Sequence, residues 1–271
     1  MDYPRKELLQ HVVDRGNLCF NVTRQTKATS WQHALASDTP APAVFVEIKD
    51  GSTVFPLYLH ADSDSSTNSD LFSGSRPNIS HSFLSRLSQT LGLEQESEFG
   101  LPKGISPEDI FHYIYAIFHA PGYRTRYAEF LKRDFPRVPL TANIELFRAL
   151  GEKGKQLVAL HLLKVEDAPQ LDVFLTGFPV TGSNEVLRAK YTPENCRVWI
   201  NDDQYFSDVP AATWNFLVGG YQVCEKWLKD RKGRILTYAD LQHWQRVVVA
   251  LTETQRLMTE IDDLIPQWPL R

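Results

Sequence analysis

The feature that most constrains this chain is a long amphipathic run near its C-terminus, residues 237–265. Its apolar positions recur at intervals of three and four, and Thr237 and Asp240 have the spacing of a capping box. A helix of this length would span about 43 Å at 1.5 Å per residue. Such a helix either packs its apolar face on its own domain or acts as a spacer that docks another part of an assembly. The expected buried face consists of Leu241, Trp244, Val248 and Leu251.

Length and composition predict a folded cytoplasmic protein. The chain has 271 residues, of which 42% are hydrophobic, enough to bury a sizeable core. No stretch approaches 18 uninterrupted apolar residues and the first residues lack the pattern of a signal peptide, so we expect no membrane span and no export. The formal net charge of −4 does not indicate a nucleic-acid binder. Any such function must therefore rest on local clusters of charge.

The motifs of common enzyme classes do not occur in the sequence. Cys19, Cys196 and Cys224 are too widely spaced for a zinc site or a disulfide scaffold, so we expect reduced cysteines. The eight histidines include no H-x-x-x-H pair, and the glycines form no nucleotide-binding loop. Neither a methyltransferase N-P-P-[YF] motif nor a serine-hydrolase elbow is present. We therefore expect no metal, no cofactor and no catalytic residue.

The N-terminal third reads as strands and the remainder mainly as helices, which predicts an α+β fold. Strands are expected over residues 18–23, 43–48 and 54–59, and an irregular loop over the Ser-, Asp- and Asn-rich stretch 61–78. Helices are expected over residues 80–91, from Ser106 onward, over 123–133, over 143–163 with interruptions at Gly151 and Gly154, and over 213–230. Returning strands are expected over residues 171–174, 188–191 and 197–200.

One constellation resembles the metal-binding residues of many nucleases. Glu47 and Lys49 lie on a strand-like run, with Asp38 nine residues upstream of Glu47. Such a site needs a second carboxylate on an adjoining strand, whereas Asp38 lies in a Pro-rich stretch that we expect to form a loop. A small metal-dependent nuclease is therefore an alternative, and a solvated strand end is the simpler interpretation.

Two short stretches concentrate positive charge. The first basic segment, residues 121–139, has five cations against two acids among four aromatic side chains, a balance of +3. The second basic segment, residues 225–234, also has five cations against two acids. Such clusters neutralise phosphates and offer arginine forks to guanine edges, but they also occur on ordinary solvated helix ends. Composition alone leaves both interpretations open.

A long run, EDIFHYIYAIFHAPGYRTRYAEFLKRDFPRVPLT at residues 108–141, resembles the C-terminal specificity region of type ISP restriction-modification enzymes and their single-chain type II relatives. Further matching elements follow in the family's order: VFPLYL, RPNIS, ELFRALGEKGKQLVALHLL, GYQVCEKWLKDRKGR and LTYADLQHWQRVVVALTETQRLMTEID. The resemblance covers nearly the whole chain. It implies sequence-specific binding of double-stranded DNA by a domain that is non-catalytic by itself.

The resemblance also implies an organisation and a set of contacts. A mixed-β DNA target-recognition domain with helical insertions is expected over residues 1–235, with a helical spacer packed on it over 236–271. Partners would be double-stranded DNA and the methyltransferase, nuclease and motor portions of the enzyme. A protein-docking remnant that does not bind DNA remains a second alternative. The expected DNA-binding residues are Tyr123, Arg124, Arg126, Lys132, Arg133, Arg137, Lys229, Arg231, Lys232 and Arg234.

Overall fold

A computed structural model describes residues 6–42, 44–46, 51–60 and 74–270. Helices and antiparallel sheets are both present, which confirms the predicted α+β class. The chain divides into two units: unit 1 is Met1–Val158 together with Ile261–Arg271, and unit 2 is Ala159–Glu260. The functional division at residue 235 into a recognition domain and a spacer stays a prediction.

The helices and strands have the following bounds. The helices are α1 Lys6–Leu9, α2 His81–Leu91, α3 Pro107–His119, α4 Pro121–Arg126, α5 Ala128–Leu131, α6 Ile144–His161, α7 Ala211–Trp214, α8 Val223–Lys229 and α9 Tyr238–Leu264. The strands are β1 Cys19–Val22, β2 Ala34–Ser37, β3 Thr53–Pro56, β4 Tyr58–His60, β5 Ser75–Pro77, β6 Gln95–Glu96, β7 Leu101–Pro102, β8 Lys190–Thr192, β9 Arg197–Trp199, β10 Tyr205–Phe206, β11 Leu217–Val218 and β12 Tyr221–Gln222.

Unit 1 is built around a three-stranded antiparallel sheet in which β1 lies between β2 and β3. Phe20 of β1 is paired with Ala36 of β2 and with Phe55 of β3. Helix α3 packs on this sheet, since the Phe20 and Phe111 ring centroids are 4.1 Å apart and the Ala36 N–H donates to the Tyr115 hydroxyl oxygen at 3.2 Å. All four side chains of β1 are buried as a result.

The strand predictions in the N-terminal third succeed only in part. Strand β1 lies within the stretch predicted over 18–23, and the stretch 54–59 contains most of β3 and of β4. The prediction over 43–48 lies largely outside the described residues, and residues 44–46 form a turn and bends. Strand β2 was not predicted, and it ends at Ser37, so Asp38 lies in the bend that directly follows the strand.

The predicted irregular loop over 61–78 is corrected at its end. Ser75–Pro77 form β5, which pairs antiparallel with β4. The Asn78 N–H, just after β5, donates to the carbonyl of Leu57, just before β4, at 2.8 Å. This bond extends the backbone pairing of the two strands by one more hydrogen bond. The end of this stretch is therefore ordered by its pairing with β4, and local composition does not reveal such a pairing. Residues 61–73 lie outside the described residues.

Helices α3 and α6 show how local signals and packing constrain unit 1. The predicted capping box is confirmed, because Ser106 Oγ accepts from the Asp109 N–H at 3.1 Å and the Asp109 carboxylate accepts from the Ser106 N–H at 2.8 Å. The predicted interruption of α6 at Gly151 and Gly154 is wrong, since the helix is continuous. A Cβ at Gly154 would overlap the His112 carbonyl oxygen, so this glycine permits close approach of α3 and α6.

The single helix predicted over 123–133 is in fact two short helices. Pro121 occupies the first turn of α4, and Tyr127, with φ −104° and ψ 16°, separates α4 from α5. The Gly122 N–H donates to both carboxylate oxygens of Asp262, at 2.9 and 3.0 Å. An acidic group at this end of α4 satisfies an N–H that has no partner within the helix.

Unit 2 has its core where α9 packs against short strands and helices. The Trp244 ring stacks on the Phe206 ring with centroids 4.0 Å apart, and its Nε1–H donates to the Cys224 carbonyl at 3.2 Å. The predicted buried face of the long helix is confirmed: its members are buried or, for Leu241, partly buried. The capping box at the start of α9 is also confirmed, because the Asp240 N–H donates to Thr237 Oγ1 at 3.1 Å and the Thr237 N–H to the Asp240 carboxylate at 2.9 Å.

Two predictions in unit 2 are wrong. The helix expected over 213–230 is the short helix α7, then the hairpin β11–β12 and then α8. Gly219 has φ +59° in the hairpin turn, a conformation that glycine adopts without strain. The strand expected over 171–174 is a 3-10 turn at Pro169–Asp172, because proline favours the φ of a first helical turn there.

The remaining strand and helix predictions come close to the structure. The strand expected over 188–191 is shifted to β8, and the one over 197–200 corresponds to β9. Strands β8, β9 and β10 form an antiparallel sheet with β9 in the middle. The helix expected over 80–91 is α2, capped by Ser80, whose Oγ accepts from the Phe83 N–H at 3.3 Å.

Candidate nucleic-acid interface

The first basic segment lies in unit 1, on α4, α5 and the loop that follows them. Arg126, Arg133 and Arg137 are exposed, and within the described ranges none of them has a carboxylate partner. The Arg126 guanidinium lies 5.9 Å from the centroid of the Tyr127 ring. These three arginines are therefore available to phosphates or base edges.

Arg124 differs from the other arginines of this segment. It is half-buried, its Nε–H donates to the Phe118 carbonyl at 2.7 Å, and its guanidinium lies 5.9 Å from the Trp31 ring centroid. Removal from water lowers the pKa of Arg124 to about 10, partly offset by Tyr115. The Arg124 side chain therefore connects the end of α3 to Trp31. A guanidinium held by these contacts is less available to DNA.

Tyr123 is buried, with only 2% of its surface exposed. Its hydroxyl donates to the Arg137 carbonyl at 2.7 Å, and its ring packs against Tyr127 and Trp268. Burial raises the pKa of this phenol well above its ordinary value. In this conformation Tyr123 holds the loop that carries Arg137, so we infer a supporting role in place of the direct DNA contact that the sequence suggested.

The two acids of the first basic segment already have cationic partners. Glu129 pairs with Lys132, whose Nζ lies 3.1 Å from Oε1, and Asp134 pairs with Arg24 at 3.5 Å. Lys132 lies within the predicted set but is partly neutralised. Among the described residues of this segment, the exposed cations without a carboxylate partner are therefore the three arginines named above, and not Lys132.

The second basic segment lies in unit 2 and comprises α8 and the turn leading to α9. Its two acids pair along the helix: Lys226 with Asp230 at 2.7 Å and Lys229 with Glu225 at 2.8 Å. Such i,i+4 pairs on exposed helix faces are weak, about 0.3–0.5 kcal/mol each. DNA phosphates can therefore compete with these carboxylates for the lysines.

Arg231, Lys232 and Arg234 lie beyond α8, where the backbone is well anchored. The Gly233 N–H donates to the Val186 carbonyl at 2.7 Å, and the Val186 N–H to the Arg234 carbonyl at 2.9 Å. Arg231 stacks on the Trp227 ring, with Cζ 3.5 Å from the centroid, and donates to the Trp227 carbonyl at 3.1 Å. Lys232 and Arg234 are exposed and, in the part of the chain that the structure describes, have no carboxylate partner.

The structure thus places the ten predicted site residues in two groups, one in each unit. The members of each group lie on consecutive elements of the chain. The expectation that both groups form a single face stays a prediction.

The residues of the nuclease alternative are only partly described. Asp38 directly follows β2, whereas Glu47 and Lys49 lie outside the described residues. Among residues 6–42, 44–46, 51–60 and 74–270, no group of three or more His, Cys, Asp or Glu side chains is placed to hold a metal ion. Within the same ranges no helix is long and apolar enough to cross a membrane.

The three cysteines are free thiols, as expected. Cys19 and Cys224 are buried, and burial raises the pKa of Cys19 to about 11 and that of Cys224 to about 12. Asp38 adds to the shift at Cys19. Thiols held in their protonated form are poor nucleophiles, which fits residues that fill the core.

Two aromatic side chains that lie among these cations were not included in the predicted set of DNA-binding residues. Phe130 on α5 is 75% exposed although it lies between the arginines of the first basic segment. Trp227 provides the surface on which Arg231 stacks. The only sequence signal for either residue was its position among cations, since a Phe or Trp on a short helix normally indicates core.

Comparison with known families identifies the chain. The family described as Type ISP C-terminal specificity domain matches residues 1–260, and the chain belongs to it. This confirms the resemblance found in the sequence. No curated protein matches the sequence.

Several solved structures share this fold. The cryoEM structure of a DrdV–DNA complex has a TM-score of 0.69 at 20% identity, over 96% of this chain and 26% of that one. The ATP-dependent Type ISP restriction-modification enzyme LlaBIII bound to DNA has a TM-score of 0.67 at 19% identity, over 95% and 16% of the two chains. A nuclease-deletion mutant of the Type ISP enzyme LlaGI in complex with a DNA substrate mimic has a TM-score of 0.62 at 18% identity. The match covers 95% of this chain and 18% of that one. The chain thus spans about a quarter or less of the length of these proteins.

Proposed function

We propose that this chain binds double-stranded DNA in a sequence-specific manner, as the target-recognition part of a restriction-modification enzyme. Its membership of the specificity-domain family over residues 1–260 carries this proposal. Solved proteins with the same fold, described as bound to DNA, support it. The locally concentrated cations provide the necessary chemistry in a protein with a net charge of −4.

The two kinds of cation suit two kinds of contact. Lys232 on its anchored turn is a compact charge that suits a phosphate and fixes the position of the protein on the duplex. The exposed Arg126 has a planar fork that matches the N7 and O6 acceptors of guanine in the major groove. Its guanidinium lies 5.9 Å from the centroid of the Tyr127 ring, within reach of a cation–π contact.

Catalysis would come from other parts of such an enzyme. The structures that share this fold are much longer chains, described as an ATP-dependent enzyme and as a nuclease-deletion mutant. We therefore propose that methyltransferase, nuclease and motor portions are the protein partners in the cytoplasm. This chain alone would neither methylate nor cleave DNA, and it would bind neither S-adenosylmethionine nor ATP.

Selection of bound duplexes from a randomised pool tests the DNA-binding proposal. We expect enrichment of one sequence, which then binds more tightly than a shuffled version of itself at the same salt concentration. Specific sites are typically about 10³–10⁷ times tighter than non-specific DNA, so a clear preference is measurable. Failure to bind any duplex at low salt would support the protein-docking alternative.

Two further measurements test the absence of catalysis. Calorimetry should give no saturable heat with S-adenosylmethionine or with ATP. Incubation with supercoiled plasmid and Mg²⁺ should leave the plasmid intact. Nicking that disappears in Glu47→Ala would establish the nuclease alternative instead.

A further inference from the structure

The first basic segment encloses a cleft that the proposed function does not use. Its volume is about 390 Å³, and its walls include the rings of Tyr127, Phe130 and Phe135. This volume lies in the range of small-molecule sites, about 300–1,000 Å³. Phe130 is 75% exposed, and within the described residues its ring has no aromatic neighbour.

The other walls of the cleft are held in place by the fold of unit 1. The Tyr127 ring centroid lies 5.1 Å from that of Tyr123 and 6.3 Å from that of Trp268, which it meets edge-on. Phe135 packs against Phe55 with centroids 5.7 Å apart. These two of the three aromatic rings are therefore held in place before a ligand binds, which lowers the entropic cost of binding.

The lining of the cleft also includes cations. Arg133 and Arg137 line it and are exposed, and the Tyr123 hydroxyl fixes the Arg137 carbonyl at 2.7 Å. The one acidic residue in the lining, Asp134, is paired with Arg24 at 3.5 Å. An apolar peptide in this cleft would bring two unpaired guanidinium groups against apolar surface, whereas an anionic ligand would neutralise them.

Aromatic rings and arginines in the lining of one cleft match the two ends of a nucleotide. The rings offer stacking surfaces to a base, and the arginines offer charge to its phosphate. A base inside an intact duplex has both faces covered by its neighbours, so only an unstacked base can use these walls. We propose that this cleft binds a single unpaired nucleotide of DNA, with the base against Phe130 and the phosphate between Arg133 and Arg137; the proposal rests on the DNA-binding function proposed above.

Fluorescence of 2-aminopurine tests this inference. The fluorophore is placed at one unpaired position, in a duplex with a single-nucleotide bulge and in a short single strand, and a fully paired duplex of the same sequence serves for comparison. We expect the protein to quench the unpaired base and Phe130→Leu to weaken binding of both unpaired probes about tenfold, within the range for stacking on one aromatic ring. Binding of the paired duplex should be unchanged within about twofold.

Two control variants show whether the effect comes from the aromatic face of Phe130 or from the loss of any exposed aromatic side chain. Phe130→Tyr keeps the aromatic face and should bind all three probes like the unmodified protein. Tyr238→Leu removes an aromatic side chain that is 74% exposed but belongs to unit 2, and it should have no effect. Thermal melting of Phe130→Leu checks that the fold is retained.

The possible outcomes distinguish this inference from the function on which it rests. If Phe130→Leu weakens the paired and unpaired probes equally, Phe130 is a general contact and the nucleotide site is overturned. The site is equally overturned if the variant changes neither affinity nor quenching of the unpaired probes. If the unmodified protein binds no paired duplex, the proposed function fails, and the single-stranded probe still decides whether the cleft holds a nucleotide.

Discussion

The two basic segments have the same formal charge but differ in how they hold it. In the second segment, both acids pair with lysines of the same helix, and two cations remain exposed on an anchored turn. In the first, one acid pairs within the segment and the other with Arg24, while Arg124 is directed to the interior and three arginines remain exposed around aromatic rings. Equal charge in the sequence therefore gives unequal surfaces, since the fold decides which cations remain available.

This difference indicates a division of labour. Point charges on a fixed turn suit phosphates, whatever the sequence of the DNA. Arginine forks beside aromatic rings suit base edges and stacked bases. We therefore expect the first segment to govern specificity and the second to govern the strength of binding to any duplex.

The largest expected effect concerns the core that supports the second segment. Trp244 bonds to the Cys224 carbonyl of α8, so Trp244→Ala removes a fully buried ring and an anchor of that helix. We expect a loss of about 3–5 kcal/mol in the free energy of unfolding, measured by urea denaturation. Tyr238→Ala, on an exposed position of the same helix, should stay within about 0.5 kcal/mol. An unchanged midpoint for Trp244→Ala would contradict the observed packing of α9.

The next effect separates two arginines of the first segment. Arg124→Ala should lower the free energy of unfolding by about 1.5–3 kcal/mol, because it removes a charge-assisted hydrogen bond and leaves the Phe118 carbonyl without this donor. Arg126→Ala removes an exposed side chain and should change stability by less than about 0.5 kcal/mol. Equal stability of the two variants would show that Arg124 is not structural.

Arg126 should instead affect recognition. If its fork reads one base pair, Arg126→Ala should cost about 1–3 kcal/mol at that position and relax the preference there. Binding of the selected duplex and of its single-base variants measures this change, with Arg126→Lys as the control that keeps the charge but not the fork. A uniform loss of affinity on every duplex would assign Arg126 to a phosphate.

These assignments also show what the sequence could and could not predict. Helices α3 and α9 were predictable because their capping boxes are local, within three residues of the chain. Strand β2 and the hairpin in unit 2 were not, because pairing partners rather than local pattern order them. The two basic segments were visible as charge, but the contact between Arg124 and Trp31 was not, because Trp31 is distant in sequence.

A smaller effect is expected for the second segment. Lys232→Ala should weaken all duplexes alike and reduce the slope of log affinity against log salt by roughly 0.9, the value for one phosphate contact. Titrations at several salt concentrations measure the slope on the selected and on a shuffled duplex. A loss confined to the selected duplex would reverse the division of labour between the segments. If charge reversal in both segments leaves the affinity for duplex DNA and its salt slope unchanged, the DNA-binding face lies elsewhere on the chain.

The smallest effect tests whether pairing with an acid really withholds a cation from DNA. Lys229 lies 2.8 Å from the Glu225 carboxylate, with 60% of its side chain exposed. Phosphate must therefore replace a carboxylate at this lysine, whereas at Lys232 it replaces only water. We expect Lys229→Ala to cost about 0.3–0.5 kcal/mol in stability and to lower the salt slope by less than Lys232→Ala does. Conversely, Glu225→Gln should release Lys229 and strengthen binding to every duplex by a small, salt-sensitive amount. If Lys229→Ala and Lys232→Ala reduce the slope equally, the ion pair does not compete with DNA, and the formal charge of a segment would then be a sufficient guide to its electrostatic contribution.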